Sequence, residues 1–542
     1  MGIGFVFECL ALAAGTAALI HHYKDAQVGP IVSCTVFFSW FVGFLGLVLL
    51  PMDLTSVNDR TNYESILVGW KLVYWFTFLL SWLVLPILIE FSQSGAFSTE
   101  QRLRLSIKYL VRHYAVLLSV GAIFFLYLIV VDHFSISGVI GLVMALGNTY
   151  GLLWIVCLLG YGLVNIPRIM WSYGDPQARL RSVYFKAIQV HDERVESTFI
   201  HDDVAKDVSA LANRFHTMHA STIIVTPELQ YTKECVDQLL RTIGADGDAE
   251  KAKVAKRQPR ARTALPGPVL EDAMPTEAEI INLHGRAKRI KADLRRCDQT
   301  WNDICHEAHV LQQLVEKGDN MLLVPIAARA CACVCILGSA LIMWSEIVMG
   351  GAEWLSPLRY VLGSGPLTHV VVIALLLYMG ICAYQSLFSL RGFGRLALHG
   401  NHNSTELSLL TTSIHQSRLQ FSLGYNFLLL LNAGEVTTHT AFHALFTDMR
   451  LIHFFGTDFT LYAPLLLLVF AAFTFAHGYA RVVRLLGLEQ YEELIPGQVE
   501  HEAKIHTGEA LVKRGIEKLA RQWAKEGKTA ASGLAAPLLA DE

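Results

Sequence analysis

Two kinds of pattern alternate along the chain. Long apolar runs fill both ends, and a polar stretch from Asn165 to Asn320 separates them. An apolar run of about 18 or more residues can cross a bilayer as a helix. Nine such runs are present: Gly2–Ile20, Gly29–Leu50, Ile66–Ile89, Tyr114–Val131, Ser137–Leu163, Ala327–Met349, Leu367–Phe388, Leu407–Leu431 and Leu461–His477. Each must be helical, because an open strand would leave backbone groups unpaired in lipid. The pattern predicts an all-α polytopic membrane protein with nine transmembrane helices and an insert between the fifth and sixth.

Inside the insert the apolar period changes. Leu283, Ala287, Ile290, Leu294, Cys297, Trp301, Ile304, Ala308, Leu311 and Val315 recur at alternating steps of four and three. That is a coiled-coil seam. An earlier arm keeps the same alternation from Val204 through Val208, Leu211 and Phe215 to Ile243, interrupted at Thr226-Pro227. Proline suits the first position of a helix, so the break also starts a new one. Between the arms, Gly244–Pro275 holds Lys251, Lys253, Lys256, Arg257, Arg260 and Arg262 among prolines and glycines, and is expected to be disordered. Two arms that both return to the membrane fold most simply as an antiparallel hairpin. Its second arm would project about 60 Å at about 1.5 Å per residue. The expected organisation is spans one to five over 1–164, the insert over 165–320 with its basic linker over 244–275, spans six to nine over 321–480, and a tail over 481–542.

Charge sets the topology. Only 17% of the chain is charged and 53% is hydrophobic, whereas soluble proteins carry about a quarter charged residues. The net charge of −3 decides little, because orientation is read loop by loop. Lys24 lies in one set of alternate loops, with Arg102, Arg104, Lys108, Arg112, Arg391 and Arg395. The other set holds only Arg60, Arg359 and Arg450. The richer set belongs in the cytosol. The N-terminus is then outside, and the insert and C-terminal tail are cytosolic. In the tail, residues 509–525 read as a basic amphipathic helix. Leu511, Val512, Ile516, Leu519 and Trp523 lie on one face, suited to a membrane surface or to the hairpin. Cys331, Cys333 and Cys335 in the sixth span are either small packing residues or S-palmitoylation sites.

Candidate chemistry is sparse. Arg418 lies within the eighth span, where a charge is costly unless paired. Glu406, Glu90 and Glu346 are possible partners. Arg418 is either structural, as an internal ion pair or a snorkelling side chain that places the helix, or a ligand or gating charge. Asn148 and Asn426 extend a polar theme within the spans, either as packing groups or as the lining of a cavity. His306 with His309 and His439 with His443 form pairs, but two histidines do not complete a metal site. No phosphate loop or nucleophile elbow occurs, and no cofactor is implied. Nucleic-acid binding is disfavoured, since no aromatics interleave with the basic linker. Anionic membrane lipid is the alternative use of that linker.

Several segments resemble the limb region 1 membrane protein family, also called lipocalin-interacting membrane receptors. They are Pro51-Met52-Asp53, Tyr74-Trp75 through Trp82, Asn148 to Leu152, Gly160-Tyr161-Gly162-Leu163-Val164 with Pro167-Arg168, Leu283-His284, Trp344-Ser345-Glu346, and Glu406 through Asn426. The similarity is strongest to the domain-containing protein 2 branch. Glu406 stands where the family has an aspartate, and Tyr150 where tryptophan is common. The resemblance implies nine spans, an outside N-terminus and a large cytosolic loop, without catalytic residues to carry over. It also implies a role in endocytic uptake, lysosomal export or receptor signalling, the last of the G-protein-coupled type for this branch.

The leading expectation is a non-enzymatic receptor or scaffold of the plasma or endolysosomal membrane. It would hold membrane receptors or trafficking proteins through the seam of Leu283, Ile290, Leu294, Trp301, Ile304 and Leu311. A second subunit could mate with the same seam, so a homo-oligomer stays open. The alternative is a transporter or lipid-handling protein with a polar cavity around Arg418.

Overall fold

The computed structural model describes residues 3–56, 60–132, 136–221, 226–244, 274–317, 323–348, 353–358, 367–389, 397–431, 439–447, 457–478, 481 and 499–525. The basic run Lys251–Arg262 and the loop cations Arg359, Arg391, Arg395 and Arg450 lie outside them.

The helices in order are α1 (Ile3–Tyr23), α2 (Pro30–Ser56) and α3 (Arg60–Leu79), which passes through a π-helical turn (Leu80–Val84) into α4 (Leu85–Gln93). Then come α5 (Thr99–Asp132), α6 (Ile136–Tyr173), α7 (Pro176–Ser221), α8 (Pro227–Ile243) and α9 (Glu277–Lys317). The remainder are α10 (Leu323–Val348), α11 (Leu367–Phe388), α12 (Glu406–Leu431), α13 (Ala441–Thr447), α14 (Thr457–Phe475) and α15 (Val499–Lys525).

Six helical stretches among the described residues are long and apolar enough to cross a membrane: Gly4–Tyr23, Pro30–Thr55, Tyr63–Gln93, Tyr150–Tyr173, Pro325–Val348 and His369–Phe388. Leu465–Phe475 is a shorter apolar helix. This is an all-α polytopic membrane protein. The expected eighth span, Leu407–Leu431, is not among the six. Its helix α12 carries Thr412, Ser413, Gln416, Ser417, Gln420 and Asn426, all buried by protein. Its surroundings are other helices, so it needs less hydropathy than a lipid-facing helix.

The chain divides into two compact units. The first comprises Met1–Pro86, Tyr114–Gln189 and Asn302–Glu542, and the second Ile87–His113 and Val190–Trp301.

In the first unit α6 packs against α10, α11, α12 and α14. Two glycines allow the close approaches. A Cβ on Gly160 would lie 2.9 Å from the Leu467 carbonyl oxygen and from Phe470 Cβ. One on Gly162 would collide with the Cys382 carbonyl and lie 2.8 Å from Ser386 Oγ. Small residues of this kind let helices meet at backbone distance where lipid offers no hydrophobic drive. The polar stripe of α12 is knitted into its neighbours. Trp40 Nε1 donates to Ser413 Oγ at 2.8 Å, and the Gln420 amide lies 2.9 Å from the Thr77 hydroxyl.

The tail helix α15 begins at Val499, earlier than residue 509. Its Ile505, Gly508 and Val512 are buried, and Gly508 sits against the Tyr184 backbone of α7. Arg181 pairs with Glu502, and Lys504 stands 6.0 Å over the Phe185 ring. On the amphipathic face Val512 is buried, and Leu511, Ile516 and Leu519 are half-buried.

The second unit joins α7, α8 and α9 to the segment between Ile87 and His113. Arg194 meets Asp298 at 2.6 Å, and Arg214 meets Glu279 at 2.7 Å, so α7 and α9 run antiparallel. Thr226 caps α8: its hydroxyl accepts from Leu229 N at 3.3 Å, with Pro227 opening the helix. The core combines Val204, Val208, Phe215, Val236, Leu239 and Ile280, with Phe97 packed against it. A hairpin of two arms is therefore incomplete as a description. Residues 90–113, expected as a plain basic loop, supply part of the core.

Candidate functional site

The intramembrane polar residues were the candidates for a shared cavity. Among the described residues they do not share one site, although Glu346 and Asn426 meet. Arg418 donates from Nη2 to the Ser81 carbonyl at 3.2 Å, and its guanidinium lies 4.5 Å from the centre of the Trp82 ring. Among the described residues it meets no carboxylate, which corrects the expected ion pair. The π-helical turn explains the substitution. Pro86 follows and has no N–H to give, so carbonyls one turn earlier lose their helical donor, and the widened turn accommodates the break. Arg418 takes the carbonyl of Ser81, and the Tyr114 hydroxyl donates to that of Trp82. Arg418 Nε remains buried without a partner.

Glu346 is deeply buried and accepts from Asn426 Nδ2 at 3.3 Å. Glu406 accepts from the Gly29 N–H at 3.0 Å, at the start of α2. Glu90 belongs to the second unit, where Arg289 and His113 are its charged neighbours. The Asn148 side chain lies outside the described residues. The cavity reading around Arg418 therefore has no common lining to rest on.

The family-motif residues are likewise structural ties. Asp53 is almost fully buried. Its two oxygens accept from the N–H groups of Ala441 at 2.9 Å and Phe442 at 2.7 Å, at the head of α13. Trp70 Nε1 adds a third bond at 3.1 Å. Sequence reasoning singled out Asp53 but not these partners, of which Ala441 and Phe442 lie hundreds of residues downstream. Pro167 is buried within α6, and Tyr161 beside the two glycines is half-buried. Arg168 reaches the carbonyls of Thr474 at 3.5 Å and Phe475 at 3.4 Å, at the end of α14. Trp344 Nε1 donates to the Leu355 carbonyl at 3.3 Å.

Of the seam residues on α9, Leu283, Trp301, Ile304 and Leu311 are buried, and Ile290 and Leu294 half-buried. Their apolar faces are occupied within the chain. Next to Leu283, His284, one of the residues that carry the resemblance, joins α9 to the segment around Gly95. Its Nδ1 lies 2.6 Å from the Gly95 carbonyl oxygen, its Nε2 lies 3.3 Å from Thr242 Oγ1, and its ring stacks on Phe97 at 4.5 Å. Burial, with Lys288 and Arg102 nearby, holds its pKa below the ordinary histidine value, against the Gly95 bond. Burial also pushes the Cys235 and Cys297 thiols up, so both act as packing groups. Among the described residues no three His, Cys, Asp or Glu side chains are arranged to hold a metal ion. On the outside of α7, Phe199 is 67% exposed.

These features define a helical multi-pass membrane protein whose buried polar groups are spent on tying helices together, with a second, extramembrane-type unit of long helices. The chain belongs to the LMBR1-like membrane protein family, which matches residues 1–479. It is 23% identical to LMBR1 domain-containing protein 2 homolog A of Dictyostelium discoideum, over 90% of this chain and 75% of that protein. It is also 23% identical to the G-protein coupled receptor-associated protein LMBRD2 of Gallus gallus, and equally to that of Homo sapiens, each over 94% of this chain and 83% of the relative. No solved structure matches.

Proposed function

We propose that this protein is a non-enzymatic, nine-span accessory of G-protein-coupled or related membrane receptors, with its N-terminus outside and its long-helix unit and tail in the cytosol. The observation that carries the reading is that Arg418, Asp53, Glu346 and Glu406 each close on a local partner. A transport pathway needs such groups to share a hydrated lining. The names of the relatives support a receptor as the partner. The nine spans rest on the six apolar helices together with α5, α12 and α14. The plasma membrane or an endolysosomal membrane is the site of action, and trafficking of receptors between them is a use consistent with both.

The seam of α9 acts in this reading as the inner mate of α7 and α8, and the exposed outer face of α7 around Phe199 is the surface offered to a partner. The test is co-purification of the full chain with a G-protein-coupled receptor and with an unrelated multi-pass protein at equal membrane levels. Selective recovery of the receptor is expected. Equal recovery of both would sink the reading.

A further inference from the structure

A cavity of about 620 Å³ lies in the first unit between α1, α2 and α11. One face of α1 forms a wall, from Glu8 through Leu12 and Gly15 to Leu19. Phe44, Tyr384 and Phe388 supply flat aromatic surface opposite. The α1 part of the wall runs about 16 Å from Glu8 to Leu19 at about 1.5 Å per residue. The volume is within the range of pockets that take whole small molecules. All three helices are among those apolar enough to span a membrane, which sets the cavity beside lipid when they do.

The wall is apolar but not uniformly. Glu8 closes one end. Its Oε1 lies 3.1 Å from His369 Nε2, while its Oε2 is buried without a hydrogen-bond partner among the described residues. The Tyr384 side chain is 5% exposed, and its hydroxyl is likewise buried and unpartnered. Native proteins rarely leave such groups unsatisfied, and an orphaned one points to a missing partner. The wall holds no lysine or arginine. A phosphate head would therefore meet the Glu8 carboxyl with no cation to hold it. A neutral lipid with a single hydroxyl meets no such repulsion, and it offers one donor for one free oxygen.

The geometry points to a site for a sterol-class lipid, its hydroxyl donating to Glu8 Oε2 and its flat ring system lying along the aromatic wall of α2 and α11. Gly15 is the opening in the α1 face: a Cβ built there meets nothing within 4 Å. A larger side chain at that position would start in open space and extend into the cavity it lines.

The experiment uses the full chain in phospholipid nanodiscs with a diazirine-bearing sterol, read by mass spectrometry of the crosslinked peptides. Labelling is expected on α1 and α11, suppressed by excess unlabelled sterol. Gly15→Leu should bring it to background while the elution profile stays that of the parent. Glu8→Gln, which keeps shape but exchanges a charge-assisted acceptor for a neutral one, should lower it by about threefold or more. Labelling that Gly15→Leu leaves unchanged would overturn the proposal. So would labelling of the same peptides by a diazirine acyl-chain phospholipid that unlabelled sterol does not displace.

Discussion

The Arg418 guanidinium donates to the Ser81 carbonyl at 3.2 Å, and Ser81 stands in the one π-helical turn among the described residues. The cation of α12 thus answers a backbone irregularity of α3, and Trp82 in the same turn receives its face. Replacing Arg418 with Ala should strand the Ser81 carbonyl and lower stability by about 1–3 kcal/mol. Arg418→Lys should fall between, because an ammonium lacks the planar fork that stacks and donates together. Thermal unfolding of the purified variants checks this. A higher midpoint for Arg418→Ala would indicate a strained functional charge and count against the structural role.

Asp53 holds two backbone N–H groups and an indole N–H at once. Asp53→Ala should leave all three buried donors unpaired, costing about 3 kcal/mol or more. The loss should appear as rapid hydrogen exchange at Ala441 and Phe442 ahead of global unfolding. Uniform exchange across the chain would contradict the local tie.

Gly162 meets the backbone of Cys382. Gly162→Ala should overpack the α6–α11 contact and cost about 1–3 kcal/mol. A control at Gly4, where a Cβ has open space, should be near neutral. Thermal midpoints of the two variants decide, and equal shifts would sink the close-packing account.

His284 makes the second unit sensitive to pH. Its folded pKa lies below the ordinary histidine value of 6.5, through burial first, with Lys288 and Arg102 adding to the effect and the Gly95 bond opposing it. The neutral ring is therefore the favoured folded form. Its contribution is fully present above about pH 6.5 and is lost as pH falls through the folded value. Exchange at residues 92–97 should rise on acidification, and His284→Gln should flatten that rise. A variant with the same acid response as the parent would show that another group is responsible.

The all-α, multi-pass character was legible in the sequence, because a bilayer demands long apolar helices. Thr226-Pro227 signalled its own helix start through capping chemistry. The partners of Arg418 were not legible. A π-helical turn has no simple sequence signature; Pro86, which lacks an N–H, announces that carbonyls one turn earlier lose a donor, but not which side chain takes them. Carboxylates were sought as partners for Arg418 because charge is what a sequence displays. Glu406 and Asp53 instead serve backbone N–H groups, which every residue carries and none advertises. The segment around Gly95 read as a basic loop because its four cations dominate the pattern. What it contributes is a glycine approach: a Cβ on Gly285 would lie 3.3 Å from the Gly95 nitrogen.

The most direct test of the receptor-accessory account compares two variants in one assay. Phe199→Asp alters only the exposed face of α7, and Arg418→Ala alters only the intramembrane tie. Receptor recovered per folded molecule should fall sharply for Phe199→Asp with its thermal midpoint unchanged, and should hold for Arg418→Ala at a temperature where it remains folded. Loss of receptor from folded Arg418→Ala, with Phe199→Asp unaffected, would contradict the account and return the function to the membrane interior.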